Sequence, residues 1–217
     1  MISDNMDFVD EFESKLAEYA GSKYAVCTDC CTNAVLISLF LKKSILSISD
    51  SVGIPKRTYM SIPMTLKLFG FEVSLEDRDW EEYYSINDAI TGESTGVIDA
   101  AVFFKKGLWN EIDVPGKLVC LSFQQKKRLS LGRGGAILTD SSYFYSILKR
   151  LVYDGRNPRI PDSVEISEHP KDIKLGFHSY MEPDKAARGI LALNQPSTLR
   201  EYKKITSFDY PDLGQIL

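Results

Sequence analysis

Tyr24-Ala25-Val26-Cys27-Thr28-Asp29-Cys30-Cys31-Thr32 is the stretch on which the fold turns. Its first four residues form a short apolar run of strand type. Residues 28–31 make a tight turn, and 32–41 form an apolar-rich helix. Strand, turn and helix in that order open a β–α unit. Upstream, Phe8, Phe12 and Leu16 recur every four residues, with Val9 and Ala20 on nearly the same side. That spacing predicts an amphipathic helix with Asp4 as its N-cap and Gly21 just past its end. Downstream the alternation repeats. Strands are expected at 51–55, 70–75, 96–99, 118–123 and 135–139, and helices at 61–69, 141–153 and 182–194. The polar stretch 76–87, which carries Trp and Tyr, receives no element. The segment 156–174, rich in Pro, Asp, Glu and Ser, reads as a long surface loop. The pattern predicts an α/β fold: a mostly parallel sheet sandwiched by helices.

The 217 residues fit one domain, and 44% apolar with 26% charged residues is ordinary for a globule. The net charge of −4 supplies no overall field for nucleic acid or an anionic membrane, and no apolar run is long enough to span a bilayer. The acidic start, 1–15, is no signal peptide. Four cysteines, three of them at 27, 30 and 31, make no disulfide framework, so a reduced, cytoplasmic protein is expected. A structural zinc site needs two close ligand pairs. Cys120, His169 and His178 complete none, so no metal is expected and the cysteines read as small buried thiols.

In sheets of this kind ligands gather beyond the C-terminal ends of the strands, and four features fall there. The turn after Cys27 leads into a helix whose free N–H groups suit a phosphate, with the Thr32 hydroxyl beside them; plain capping is the alternative. Asp99 ends a buried strand, where an acid needs a cationic partner or serves as a cap. Ser122 ends another strand, followed by Lys126-Lys127-Arg128 and a glycine-rich turn at 132–135. Three cations in a row form a solvated surface or a phosphate patch, and a lysine near a buried acid is also a Schiff-base amine. Tyr59, after Pro55-Lys56-Arg57-Thr58, either stacks on a planar ligand or belongs to the core or rim.

In their order these residues resemble the DegT/DnrJ/StrS family of pyridoxal-phosphate (PLP) sugar aminotransferases, of fold-type I. Cys30-Cys31-Thr32-Asn33-Ala34 stands where the family has Ser-Gly-Thr-Ala-Ala. Ile54-Pro55-x-x-Thr58-Tyr59 is similar to Val-Pro-x-x-Thr-Phe, and Ile98-Asp99-Ala100-Ala101 to Glu-Asp-Ala-Ala. Ser122-Phe123-x-x-x-Lys127-x-Leu129 with Gly132-x-Gly134-Gly135 is close to the lysine motif. Gly176-Phe177-His178-Ser179-Tyr180-Met181 looks like Gly-x-Asn-x-Arg-Met. The resemblance covers roughly residues 8–195. It implies that Lys127 forms the Schiff base with the cofactor and later shuttles a proton. It implies that Asp99 faces the pyridine nitrogen, that Tyr59 stacks on the ring, and that Cys31, Thr32 and Ser122 hold the phosphate. His178 would reach the site of a partner subunit in a homodimer. The implied activity moves an amino group from an amino-acid donor to a nucleotide-linked keto-sugar, in polysaccharide or amino-sugar biosynthesis.

The chain departs from the family pattern at several points. Cys31 replaces the turn glycine, Val102 replaces a glutamine, and His178 and Tyr180 replace the Asn and Arg. The stretch 77–97 is short by about one β–α unit. A major domain at 1–195 and a tail at 196–217 are expected, without the usual C-terminal small domain, as in a reduced family member. Two alternatives accompany this reading: a non-catalytic scaffold or partner subunit, and a PLP enzyme of another reaction type.

Overall fold

The computed structural model describes residues 6–160, 165 and 174–216. Asp4, His169 and most of the expected loop at 156–174 lie outside them. The first helix, α1 (Met6–Ala20), buries Val9, Phe12, Leu16, Ala17 and Ala20. Phe8, expected in that stripe, lies at the exposed edge while Val9 takes the inner place. Gly21 ends the helix at φ +86, its N–H donating to Ala17 O at 2.8 Å, a left-handed stop that a glycine adopts without strain.

The elements that follow are β1 (Tyr24–Thr28), α2 (Cys31–Leu46), β2 (Ser51–Pro55), α3 (Ser61–Leu68) and β3 (Glu72–Glu76). Then come β4 (Tyr84–Asp88), β5 (Ser94–Asp99), β6 (Leu118–Ser122), β7 (Gly135–Thr139), α4 (Ser142–Leu151) and α5 (Pro183–Asn194). The seven strands form one sheet in the order β1-β7-β6-β5-β4-β2-β3. β1, β2, β3, β5 and β6 run in one direction, and β4 and β7 run against them. The expected shared direction therefore holds for most strands. Only β2·β3 and β5·β6 are parallel neighbours, however, because each reversed strand sits between two forward ones.

β4 is the element that the sequence reading missed. It joins β5 through a turn at 89–93, too short for a parallel crossover, which takes a dozen or more residues. Asp88 closes that turn, its Oδ1 accepting from the N–H groups of Ile90 (2.9 Å) and Thr91 (3.1 Å), with Gly92 at φ +74. Where the sequence pattern implies a missing β–α unit, the chain holds a strand and a hairpin turn.

Alternation along the strands sends one set of side chains to each face. Val97, Leu118, Cys120 and Ile137 pack with α2, α3 and α4, while Ile98, Val119, Leu121 and Leu138 pack with α1 and α5. The helix α2 is apolar nearly all round, from Ala34 to Leu41, as befits a helix enclosed on most sides. After α5 the chain returns across the strand ends. Arg200 N–H donates to Arg128 O (3.0 Å), Ser207 N–H to Trp80 O (2.9 Å) and Leu213 N–H to Lys56 O (2.9 Å). No helix among the described residues is long and apolar enough to cross a membrane.

Candidate active site

The forward strands β1, β2, β5 and β6 all end on one side of the molecule, and reversed β7 begins there. Into that rim open the turn before α2, the turn after β2, Asp99 at the end of β5 and the loop after β6. A cavity of about 420 Å³ lies among them, and Cys31, Thr32, Tyr59, Asp99, Ser122 and Lys127 all line it. Six of the seven residues selected from the sequence thus meet in one place. The seventh, His178, does not line it: its ring lies 3.1 Å from Asp154, with the side chain 73% exposed.

Each group is held by local structure. The N-cap of α2, Cys30, gives no side-chain cap, so the first-turn N–H groups at Cys31 and Thr32 face the cavity without intrahelical partners. Thr32 Oγ1 lies 2.6 Å from Ser61 Oγ at the start of α3, a pair of hydroxyls on the same wall. Gly135 lets β7 approach this turn: a Cβ there would stand 2.6 Å from both Cys30 C and Cys31 N. The loop carrying Lys127 is anchored by buried Phe123, Leu129 and Leu131. It is closed by Phe123 N–H to Gly134 O (2.9 Å), Leu131 N–H to Phe123 O (2.9 Å) and Lys127 N–H to Gln124 O (2.8 Å). Lys127 presents its amine to the cavity with no hydrogen bond or ion pair among the described residues. Burial pulls its pKa down, while Cys31 and Asp99 oppose the fall. A lysine so placed is more readily neutral, the form that acts as a nucleophile.

Asp99 is 5% exposed. Its Oδ1 accepts from Ala101 N–H at 2.9 Å and its Oδ2 from the Tyr84 hydroxyl at 2.8 Å. The Tyr84 oxygen lies 2.7 Å from Thr58 Oγ1. An ionised carboxylate only accepts, so Tyr84 donates to Asp99 and Thr58 donates to Tyr84. Tyr84 escaped the sequence reading because its strand did. The β4·β5 register sets it opposite Asp99, and nothing local in 76–87 announces that pairing. Tyr210, from the returning C-terminal stretch, packs on Trp80 and borders the same region; burial, with Asp99 next, pushes its hydroxyl up to about 12. Cys31 is buried, and burial, with Asp99 and Cys120 adding to it, holds its thiol far above the usual range. It is therefore a neutral wall of the cavity.

Burial pushes the Asp99 carboxyl up, against the Ala101 N–H, Tyr84 and Lys127. A carboxyl raised on folding stabilises the folded chain while protonated, and loses that contribution as pH climbs from the unfolded value of about 3.9 through its higher folded value. Asp99→Asn removes this loss. Without added cofactor, the variant is expected to gain stability relative to the parent as pH rises from about 4 to about 8, read as urea midpoints. A midpoint difference that stays constant across that range would show that burial of the charge is not what Asp99 costs.

The fold is the α/β fold of the large domain of fold-type I aminotransferases. Residues 2–105, just under half of the chain, match the model of the DegT/DnrJ/EryC1/StrS aminotransferase family, which bears out the resemblance read from the motif order. No curated protein matches the sequence. Among solved structures, the sugar aminotransferase CalS13 from Micromonospora echinospora superposes with a TM-score of 0.65 at 15% identity, over 88% of this chain and 61% of that one. A DegT DnrJ EryC1 StrS aminotransferase from Brucella abortus gives 0.60 at 18%, over 86% and 58%. GDP-4-keto-6-deoxymannose-3-dehydratase (ColD) gives 0.62 at 16%, over 87% and 61%. The chain spans about three fifths of the length of these structures.

Proposed function

We propose that this chain binds PLP in the 420 Å³ cavity and transfers an amino group from an amino-acid donor to a keto-sugar. The observation that carries the reading is one arrangement: an unpartnered lysine amine and a buried, hydrogen-bonded carboxylate on the walls of a cavity that also receives a helix N-terminus. The volume suits a small cofactor. The residues present fit the group. Asp99 keeps a lone pair on each oxygen after its two hydrogen bonds, enough to hold a protonated ring nitrogen. The first turn of α2, with Thr32, Ser61 and Ser122 around it, supplies donors for a phosphate. Tyr59, 55% exposed, offers a ring face at the mouth.

When bound, PLP supplies a carbonyl that captures an amine and a protonated ring that accepts electron density from the substrate's α-carbon. The chain's own groups then have separate tasks. Lys127 would hold the cofactor through Nζ and, once exchanged for the donor amine, would as a free base take the proton from the donor's α-carbon. Asp99 keeps the ring proton in place by charge, and Tyr84 and Thr58 fix the carboxylate.

The donor and keto-sugar, a role in polysaccharide or amino-sugar biosynthesis, and a cytoplasmic homodimer belong to the same proposal. The four free cysteines support a reducing compartment. Exposed Met60 at the start of α3 and Leu68 and Phe69 at its end support a second copy of the chain against that helix. Sedimentation equilibrium tests that contact. Residues 1–195 form the catalytic body in this reading, with 196–217 as its tail.

Adding PLP to the purified chain, reducing with borohydride and weighing the proteolytic peptides tests the reading. The expected outcome is a reduced cofactor on the peptide that carries Lys127, with glutamate converting the unreduced complex to its amino form. A second reading, a scaffold without turnover, draws on the Cys31 side chain at the phosphate turn and on apolar Val102. Protein that takes up no label supports it against the first.

A further inference from the structure

Next to the cavity lies a second hollow, an annex that the reaction as described does not use. Ala101 and Lys127 line both spaces, and the annex, of about 270 Å³, opens between the turn 126–128 and the segment 200–205. Its apolar lining includes Val102, Phe104 and Ile205. Its charged lining is Lys126, Lys127, Arg128, Arg200 and Lys203, against the single carboxylate of Glu201.

This is a local inversion in a chain of net charge −4. Elsewhere cations meet acids: Lys56 bonds Asp77 and Asp212, Lys149 bonds Asp10 and Glu13, and Arg133 bonds Asp29. Among the described residues, none of Lys126, Arg128, Arg200 and Lys203 has a carboxylate within 4.0 Å. Nor is the cluster a chance meeting of loose side chains. Arg128 donates from Nη1 to Phe104 O at 3.0 Å and from Nε to Arg200 O at 3.2 Å. Its guanidinium also lies 5.3 Å from the centre of the Tyr202 ring. These contacts fix a cation in the wall and tie the two sides of the annex together. Like charges gathered around a concave, partly apolar space repel one another and raise the local concentration of anions.

We propose that the annex is an anion subsite, receiving a carboxylate or phosphate group of the substrate and setting the rest of that molecule against the Lys127 amine. The inference deepens the proposed function and rests on its reading of Lys127 as the reacting amine. The anion has two possible sources, the donor's carboxylate or a phosphate on the acceptor. The subsite serves either through the same chemistry, and two probes tell them apart.

The test titrates the whole chain, without added cofactor, with inorganic pyrophosphate and separately with glutarate, by calorimetry at low and high salt. The result expected is that at least one probe binds, more weakly at high salt. The double variant Arg200→Glu, Lys203→Glu is expected to weaken that binding at least tenfold. Both side chains are exposed, and circular dichroism checks the fold. Should the pair fail to fold, Lys126→Glu on the opposite rim repeats the measurement. A response confined to pyrophosphate assigns the subsite to phosphate, and one confined to glutarate assigns it to carboxylate. Absence of binding by both probes, or binding that charge reversal leaves unchanged, overturns the subsite. Pyrophosphate held only at the N-terminus of α2 falls in that last outcome. The PLP labelling of Lys127 is read separately. If labelling fails while anion binding survives, the proposed function falls and the annex remains an anion site; the converse removes the subsite alone.

Discussion

Lys127→Ala is expected to abolish reducible attachment of PLP and to lower turnover by at least about a thousandfold. The size of the effect follows from the number of steps that use one amine. Under the proposed function Nζ would hold the cofactor, give way to the donor amine, and serve as the base at the donor's α-carbon. Among the described residues no other lysine lines the cavity, so none of them stands ready to take over. The fold should survive, because Lys127 makes no hydrogen bond or ion pair that the variant would lose among the described residues. Its loop is pinned by backbone contacts and by Leu129 and Leu131, which the substitution leaves in place. Unchanged far-ultraviolet dichroism with no borohydride-stable label is the result that matches. A variant that still labels at another lysine would place the reactive amine elsewhere.

Lys149→Ala carries the largest expected cost in stability, about 3–5 kcal/mol. Lys149 Nζ, on α4, bonds Glu13 Oε2 at 2.8 Å and Asp10 Oδ1 at 2.9 Å, both on α1. Glu13 is 4% exposed and its Oε1 accepts the Cys27 N–H at 2.7 Å. That N–H belongs to β1, an outermost strand of the sheet. One carboxylate therefore satisfies a strand edge and joins two helices, and the lysine compensates its charge. Burial already pushes Glu13 up against the pull of Lys149. Without the lysine an uncompensated charge remains in the interior, and it is relieved by taking up a proton. The deficit is expected to be greatest at neutral pH and to shrink on acidification, as Glu13 protonates more easily in the folded than in the unfolded chain. Adding Glu13→Gln to Lys149→Ala should recover part of the loss in urea unfolding. A double variant no more stable than the single one would show that packing, and not charge, sets the cost.

Much of this arrangement was legible in the amino-acid order. Strands at 51–55 and 135–139 fall where the apolar runs placed them, and α2 begins at the turn that the opening β–α pattern marked. Asp99 and Ser122 could be selected because they end strands, Cys31 and Thr32 because they begin a helix, and Tyr59 and Lys127 because they lie in the loops that follow strands; the topology delivers such positions to one rim. β4 was harder to read: Tyr84-Ser85-Ile86-Asn87 alternates as a strand does, but over only four residues, and its pairing with β2 and β5 is set by the rest of the sheet. With it went Tyr84, whose contact with Asp99 is a matter of register. Tyr210 was hidden for a related reason: it lies far along the chain, in a stretch without periodicity, and reaches the rim through the backbone bonds at Trp80 and Lys56. The stripe on α1 holds at Val9, Phe12, Leu16 and Ala20, while Phe8, at the edge of a four-residue spacing on a 3.6-residue turn, meets solvent.

The hairpin that joins β4 to β5 also bears on how the chain assembles. Its strands meet across a five-residue turn, so their pairing needs little loop closure and can nucleate early. β1 sits at the other extreme: Tyr24 must find Thr139 before that strand has any neighbour in the sheet. The turn that follows β1 and lines the cavity therefore waits on a pairing between distant parts of the chain, with a larger closure entropy than the hairpin has.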